Sequence, residues 1–528
     1  MSGHSPIYVK LKLNKAFVKS ENLERDPVLS WDFSTSEQKE KFIADMTNKL
    51  NTVSSGLTAC DNSVNCEKEI CQQHVNTATI DFLEAITESA WKNLASTAGT
   101  TGTQASRHKT IPGWNSMVKP FQKEAEFYFQ TWKSAGKPLE SQTPGVQHSL
   151  YILMKQSRNN YHYAVRRAKK KVNSSLNDKL LNTIGTKDLF TEIRKSRSAN
   201  NKVSDTIDGK SGADEISNHF KGIYEDLFNE QSGKLQDDSL DIIEAEIENG
   251  IQLDLKASED VISKLTPDIV KLALSRLKPG KGDVSGSFTS DYLKAAPEIV
   301  SEKLSELLRQ FLIHGYVPDS LIMCALAPLV KDENGDICDS KNYRAIAISS
   351  LILKILDYCI LILFEKEMSS DPLQYGFEKG CSTVQCTWTV MEVTSYFLRQ
   401  GSDVFSCLLD FSKAFDKVNF VKLFEKLIER GIPYVFLRLL LFNYQKQSCY
   451  VRWNNKKSGL FKVKNGVRQG AIVSPTLFCI YLDTLLQDLR KLGLGCYIGN
   501  IFMGALGYAD DILLIAPTRH SLQVMLKT

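Results

Sequence analysis

The sequence predicts an α+β protein, a helical N-terminal region followed by a segment in which short strands, tight turns and helices alternate around a small antiparallel sheet. Two observations predict it. Apolar residues recur at helical spacing early in the chain, at Phe42, Met46 and Leu50 and again at Phe82, Ile86 and Trp91. Near the other end, Leu506-Gly507-Tyr508-Ala509-Asp510-Asp511-Ile512-Leu513-Leu514-Ile515-Ala516 places two adjacent acids between β-formers, which reads as a hairpin with carboxylates at its tip.

Adjacent carboxylates are costly beside an apolar sheet unless a positive partner sits there, and a pair of Mg²⁺ ions would supply that charge. A solvated Asp-Asp turn is the alternative. A third acid bears on the choice: an apolar strand from Val404 ends on Asp410, and the chain then turns into a helix. Asn419 is its N-cap, Phe420, Leu423, Phe424, Leu427 and Ile428 form one face, and Gly431 with Pro433 ends it. An acid on a strand end beside an acid-tipped hairpin is what a two-metal phosphoryl-transfer site needs.

These strings resemble the reverse transcriptases, and among them the LINE-type (non-LTR) retrotransposon enzymes. The resemblance rests on Leu409-Asp410-Phe411-Ser412-Lys413-Ala414-Phe415-Asp416, Asn465-Gly466-Val467-Arg468-Gln469-Gly470 with Ser474-Pro475, and Tyr508-Ala509-Asp510-Asp511, with Lys341-Asn342-Tyr343-Arg344 and Gln374-Tyr375-Gly376-Phe377 upstream. It implies a right-hand polymerase with fingers and palm over residues 311–528. Its catalytic Asp410, Asp510 and Asp511 would hold two Mg²⁺ or Mn²⁺ ions together with the Phe411 carbonyl. Lys331 and Arg344 would take the incoming triphosphate, Phe415 would stack under the sugar and select dNTPs, and Gln469 and Gly470 would line the nucleotide. RNA template and DNA primer are the implied partners. The family continues past the hairpin into a primer grip and a helical thumb, of which only Ser521 to Thr528 remain, so the resemblance implies a domain with its thumb missing.

Taken in order, residues 1–13 alternate like a strand and resemble the closing strand of the endonuclease that precedes such enzymes. Gly3 replaces an acid there, and His4 reads as a remnant. Residues 14–110 read as a helical connector ending in a Ser/Thr/Gly-rich linker from Ala95. Cys60, Cys66, Cys71 and His74 lack the paired C-x2-C of structural zinc sites. Residues 111–250 open on Ile111-Pro112-Gly113-Trp114 and form a basic helical extension. In it Tyr161, His162 and Tyr163 precede Arg166, Arg167, Lys169, Lys170 and Lys171, a pattern suited to RNA, with a solvated helix face as the alternative. Arg194, Lys195, Arg197 and Lys202 continue it, and acids from Asp237 to Glu248 mark a linker near 231–250. Residues 251–310 read as a helical region beside the fingers. Its Leu277-Lys278-Pro279-Gly280-Lys281-Gly282-Asp283 loop is either a phosphate loop or simple turn chemistry.

Farther on, Ala325 to Lys331 reads as a strand, Glu378 and Cys381 stand where the family commonly has Arg, and Ala345 where it has Pro. A hairpin spans Cys449 to Val467, turned at Asn454-Asn455 or at Lys456 to Gly459, and Ser474 is placed as N-cap before Pro475.

Composition excludes little. The 528 residues carry a net charge of only +4, so nucleic-acid binding must rest on local clusters. Twelve cysteines, mostly in apolar segments, read as free thiols of an intracellular protein of cytoplasm or nucleus, and no signal peptide opens the chain. The apolar run Ile346 to Phe364 contains Lys354 and Asp357 and reads as a buried helix rather than a membrane span. Two rival readings are an RNA-binding remnant without catalysis and an intron-type or cellular reverse transcriptase.

Overall fold

A computed structural model describes residues 28–29, 31–32, 34–53, 68–97, 118–139, 148–182, 204, 206–230, 234–332, 335–411 and 413–528. The expectations for residues 1–13, Cys60, Cys66, Trp114 and Arg194 to Lys202 lie outside these residues.

The chain divides into two compact units. The first takes in 98–203, where helices Lys119–Ser134 and Ser149–Asn182 pack on each other. The Trp132 ring lies 6.0 Å from Tyr151, and its indole N–H donates to the Pro138 carbonyl. The second unit takes in 27–97 and 204–528. Here helix Ser36–Thr52 starts on a reciprocal capping box between Thr35 and Gln38, and its Phe42, Met46 and Leu50 are fully buried. Helix Lys68–Asn93 buries Val75, Ala78, Phe82, Ile86 and Ala90 on one stripe. Trp91, expected on that stripe, is 49% exposed, because one step beyond Ala90 turns it about 100° off the buried face.

Two further expectations are overturned. The acid-rich stretch near 231–250 is no linker but helix Lys234–Leu253: Leu240, Ile243, Ile247 and Ile251 recur at three- and four-residue steps into the core, and the acids cover the other side. Nor are all cysteines thiols. Cys71 is disulfide-bonded, whereas nine others are free. Cys60, Cys66 and Cys71 lie close enough in sequence for a bridge, which a reading of the composition as a whole overlooked.

A mixed sheet runs in the order Phe461–Lys462, Ser448–Trp453, Cys324–Val330, Tyr343–Ile348, with Lys456–Lys457 also paired to Ser448–Trp453. The register Trp453↔Lys456 makes Asn454-Asn455 the turn, and both residues take positive φ, which Asn tolerates. Helix Leu351–Leu363 follows this sheet, and no helix among the described residues is long and apolar enough to cross a membrane.

Helix Phe420–Glu429 begins as expected, with Asn419 accepting from the Lys422 amide at 3.0 Å, and buries Phe420, Leu423, Phe424 and Leu427. Helix Ser474–Lys491 does not. Ser474 is already its first helical residue, and the preceding Ile472 and Val473 amides instead donate to the Asp357 carboxylate at 3.2 and 3.4 Å. An acid from one helix thus caps the positive end of another.

Candidate active site

A three-stranded antiparallel sheet, Ala505–Tyr508, Asp511–Ala516 and Phe405–Asp410 with the middle one central, carries the three acids. Its hairpin register is Tyr508↔Asp511, so Ala509 and Asp510 form the tip. Asp511 in turn pairs directly with Asp410. Side chains of such cross-strand partners stand about 5 Å apart at their Cβ atoms. The sequence separates the acids by a hundred positions, and the sheet brings them to one rim. That rim is open: Asp410 and Asp511 are exposed and Asp510 half-buried, and alternate residues of the Asp410 strand face outward, Leu408 being 66% exposed. Burial and then the charges of Asp510 and Asp410 hold the Asp511 carboxyl above its usual value.

Hard carboxylate oxygens on an exposed rim are the donor set that Mg²⁺ or Mn²⁺ takes while keeping water and substrate ligands. The acids border one another without forming a closed cage. Among the described residues no group of three or more His, Cys, Asp or Glu is placed to hold a metal ion. His74 is exposed, and its neighbour Cys71 is committed to a disulfide, which leaves little of the zinc set considered above.

The tip has a support that sequence reasoning missed. Ala509 sits in left-handed backbone at φ 58, which costs a non-glycine residue about 1–2 kcal/mol. Gln374, 2% exposed, meets both backbone groups of Ala509: its Oε1 accepts from the Ala509 amide at 2.8 Å and its Nε2 donates to the Ala509 carbonyl at 3.3 Å. Oε1 also accepts from Gly376 N–H, and any Cβ on Gly376 would lie 2.2 Å from the Ala509 nitrogen. Behind this, the buried Asp371 carboxylate accepts from the Leu373 amide and pairs with Arg490 at 2.6 Å. The string Gln374-Tyr375-Gly376 is itself the sequence signal, legible as a motif but not as a clamp on a turn 135 residues away.

Phe415 lies on the 3-10 turn Phe415–Lys417, half-buried. One face stacks on Phe478 at 4.4 Å between centroids, and Phe377, 58% exposed, meets it edge-on at 6.0 Å. Phe411, the residue after the Asp410 strand, is half-buried against the same small core as the hairpin.

Lys331 and Arg344 stand at one end of the mixed sheet, where Leu329 pairs with Arg344 and the Lys331 amide donates to Asn342 O. Both are exposed. Burial, then Arg344 and Lys413, push the Lys331 ammonium below its usual value, while Asp416 and Asp339 act the other way. Lys413, which was not singled out from sequence, therefore belongs to this cationic group. Gln469 reaches the same neighbourhood: its carbonyl accepts from Ala347 N–H at 2.7 Å and its Nε2 donates to Asp416 Oδ1 at 2.9 Å. Gly470, at φ 120, leaves no room for a side chain, since a Cβ would sit 2.6 Å from the Ala347 carbonyl.

Other candidates stand elsewhere. The Gly280 and Lys281 amides of the basic loop are already met by Asp291 and Ser290, and Asp283 caps helix Leu351–Leu363 through the Leu351 amide, so turn chemistry explains it. Glu378 accepts from Ser370 of its own segment. In the other unit Arg166, Arg167 and Lys170 are exposed on helix Ser149–Asn182 beside Tyr163, itself 66% exposed, while the side chains of Lys169 and Lys171 lie outside the described residues.

Residues 330–528 match the family "Reverse transcriptase (RNA-dependent DNA polymerase)", and this part of the chain is a reverse transcriptase domain. Its relatives are polyproteins and polymerases of retrotransposable and mobile elements. The chain is 28% identical over 239 residues to the Pol polyprotein of type-2 retrotransposable element R2DM of Drosophila melanogaster, covering 44% of this chain and 22% of that protein. It is 24% identical over 227 residues to the R2 Pol polyprotein of Nasonia vitripennis (43% and 22%), and 24% over 255 residues to the RNA-directed DNA polymerase from mobile element jockey of Drosophila funebris (48% and 27%). The match thus spans about a quarter or less of these relatives' length. Among solved structures, apo telomerase from Candida tropicalis aligns at 14% identity with a TM-score of 0.30, covering 40% of this chain and 47% of that one.

Proposed function

We propose that this chain acts as an RNA-directed DNA polymerase, adding dNTPs to a primer 3′-hydroxyl on an RNA template. The observation that supports the proposal is the Asp511↔Asp410 register, with Asp510 next to that pair in the hairpin turn. In this reading residues 311–528 are fingers and palm, 251–310 lie beside the fingers, and 111–250 are a basic extension.

Asp410, Asp510 and Asp511, with the Phe411 carbonyl, would hold two Mg²⁺ ions. Two ions held there would supply Lewis-acid chemistry, lowering the pKa of the attacking hydroxyl and offsetting negative charge on the triphosphate. The protein's own share is positional. Gln374 holds Ala509, and so Asp510, in place. Lys331, Arg344 and Lys413 draw in the triphosphate, the planar Arg fork pairing two phosphate oxygens. Phe415, stacked on Phe478 and unable to recede, fills the space a 2′-hydroxyl would need, while Gln469 and Gly470 border the nucleotide. Arg166, Arg167, Lys169, Lys170 and Lys171 would contact RNA phosphates, with the exposed Tyr163 available for base stacking.

The test is primer extension on an RNA template with Mg²⁺, wild type against Asp510→Asn. The proposal expects dNTP incorporation that falls roughly 100-fold or more in the variant. Equal extension by both proteins contradicts it.

A further inference from the structure

Helix Ser474–Lys491 turns Leu477, Leu486 and Leu489 inward, and one acid, Asp483, goes in with them at 2% exposure. An ionised carboxylate is expensive to bury unless charge and hydrogen bonds meet it. Two partners do. Arg430, at the end of helix Phe420–Glu429, pairs with its Oδ2, and the backbone N–H of Asp371 donates to both of its oxygens at 3.1 Å. Burial raises the Asp483 carboxyl; the Asp371 amide and then Arg430 act to keep it ionised, and the charge of Asp371 opposes them.

Asp371 begins the segment that bears Gln374, and this segment lies along the hairpin as a further strand would. The Gly507 amide donates to the Leu373 carbonyl and the Tyr375 amide to the Gly507 carbonyl, both at 2.8 Å, with Gln374 directly beside Gly507. The same segment is fastened to one helix. Cys479, Asp483 and Arg490 recur at helical spacing, so they share a face. The Cys479 thiol donates to the Gly376 carbonyl at 3.7 Å, Asp483 accepts from the Asp371 amide, and Arg490 pairs with the Asp371 carboxylate at 2.6 Å. Arg430 adds bonds to the Glu367 and Ser369 carbonyls. Backbone held at 367, 369, 371 and 376 leaves Gln374 little freedom, and Gln374 grips both backbone groups of Ala509.

We propose that Asp483 is a positioning residue for the acid-tipped hairpin: with Arg430 it fixes segment 371–376, and through Gln374 it sets the place of Asp510. The helix that follows the Asp410 strand and the turn that carries Asp510 thereby share one buried support. The effect on catalysis rests on the polymerase reading above, whereas the effect on the hairpin does not.

The experiment is amide hydrogen exchange on the full chain without metal or nucleotide, for wild type, Asp483→Leu and Asp483→Asn, followed by primer extension. Leu cannot accept from the Asp371 amide, and Asn keeps one acceptor oxygen. Asp483→Leu should speed exchange in residues 505–511 by roughly 10-fold or more, the worth of a hydrogen bond to a charged group, while strand Ser448–Trp453 exchanges as in wild type. Asp483→Asn should lie between the two. In extension, kcat should fall in the same order with KM for dNTP unchanged, because the triphosphate is met by other residues. Exchange in 505–511 that is unchanged, or that rises equally in Ser448–Trp453, overturns the proposal, as does a rise in KM alone. Should Asp483→Leu fail to fold, the same comparison between Asp483→Asn and wild type decides. Wild type extending no better than Asp510→Asn overturns the polymerase reading and leaves the exchange result standing, so the two failures are distinguishable.

Discussion

Gln374 makes both of its amide ends count: the oxygen takes the Ala509 and Gly376 amides and the nitrogen gives to the Ala509 carbonyl, all inside the protein. Gln374→Leu would leave two buried amides and a carbonyl without partners, about 1–3 kcal/mol for each that stays dry. A drop in melting temperature and in primer extension is therefore expected, with the loss in kcat rather than in KM for dNTP, because the clamp acts on Asp510 and not on the triphosphate. Unchanged kcat in a variant of lowered melting temperature would confine Gln374 to stability. Ala509→Gly should relieve the left-handed backbone and raise stability by up to about 1 kcal/mol, measured by denaturant titration. The acids themselves were legible in sequence because a carboxylate interrupting an apolar run advertises itself locally. Gln374 and Lys413 were not, because their partners sit across the fold.

Elements in this chain are capped from a distance as well as from within. Asn419 was readable, since an N-cap and the helix it starts are neighbours in sequence. Asp357 was not: it sits in helix Leu351–Leu363 and serves helix Ser474–Lys491, more than a hundred residues on. Burial raises its carboxyl from 3.8 to about 6, against the pull of Arg468, the two amides and Lys354. A raised folded-state pKa means the stability linked to this group is fully present below 3.8 and is lost as pH climbs through about 6. Asp357→Asn keeps an acceptor oxygen and cannot ionise. Its melting temperature should therefore fall less than that of wild type between pH 5 and 7, and parallel curves would show that Asp357 does not ionise at cost. The same logic of scale explains the acid-rich helix Lys234–Leu253. Its charges drew attention while its four-residue apolar stripe, visible only on a helical projection, decided the structure.

For the whole molecule, the two units carry different halves of the proposed function. RNA contact by Arg166, Arg167 and Lys170 is an electrostatic matter, so changing all three to Ala in the full chain should weaken RNA binding and reduce the slope of log K against log salt by about 2. An unchanged slope would return that helix face to plain solvation. The broad division into an α-rich early part and a mixed helix-and-sheet later part was readable from periodicity, whereas the mixed sheet that joins Cys324–Val330 to Ser448–Trp453 depends on pairing between distant segments and was not. Everything catalytic in the account depends on cation capture by acids from two strands. Mn²⁺ titration followed by electron paramagnetic resonance, on the protein with primer, RNA template and dideoxynucleotide, tests this most directly. Wild type should take up two ions per chain, and Asp410→Asn and Asp510→Asn should each lose affinity by roughly 10-fold or more. Uptake by both variants equal to that of wild type would contradict the account.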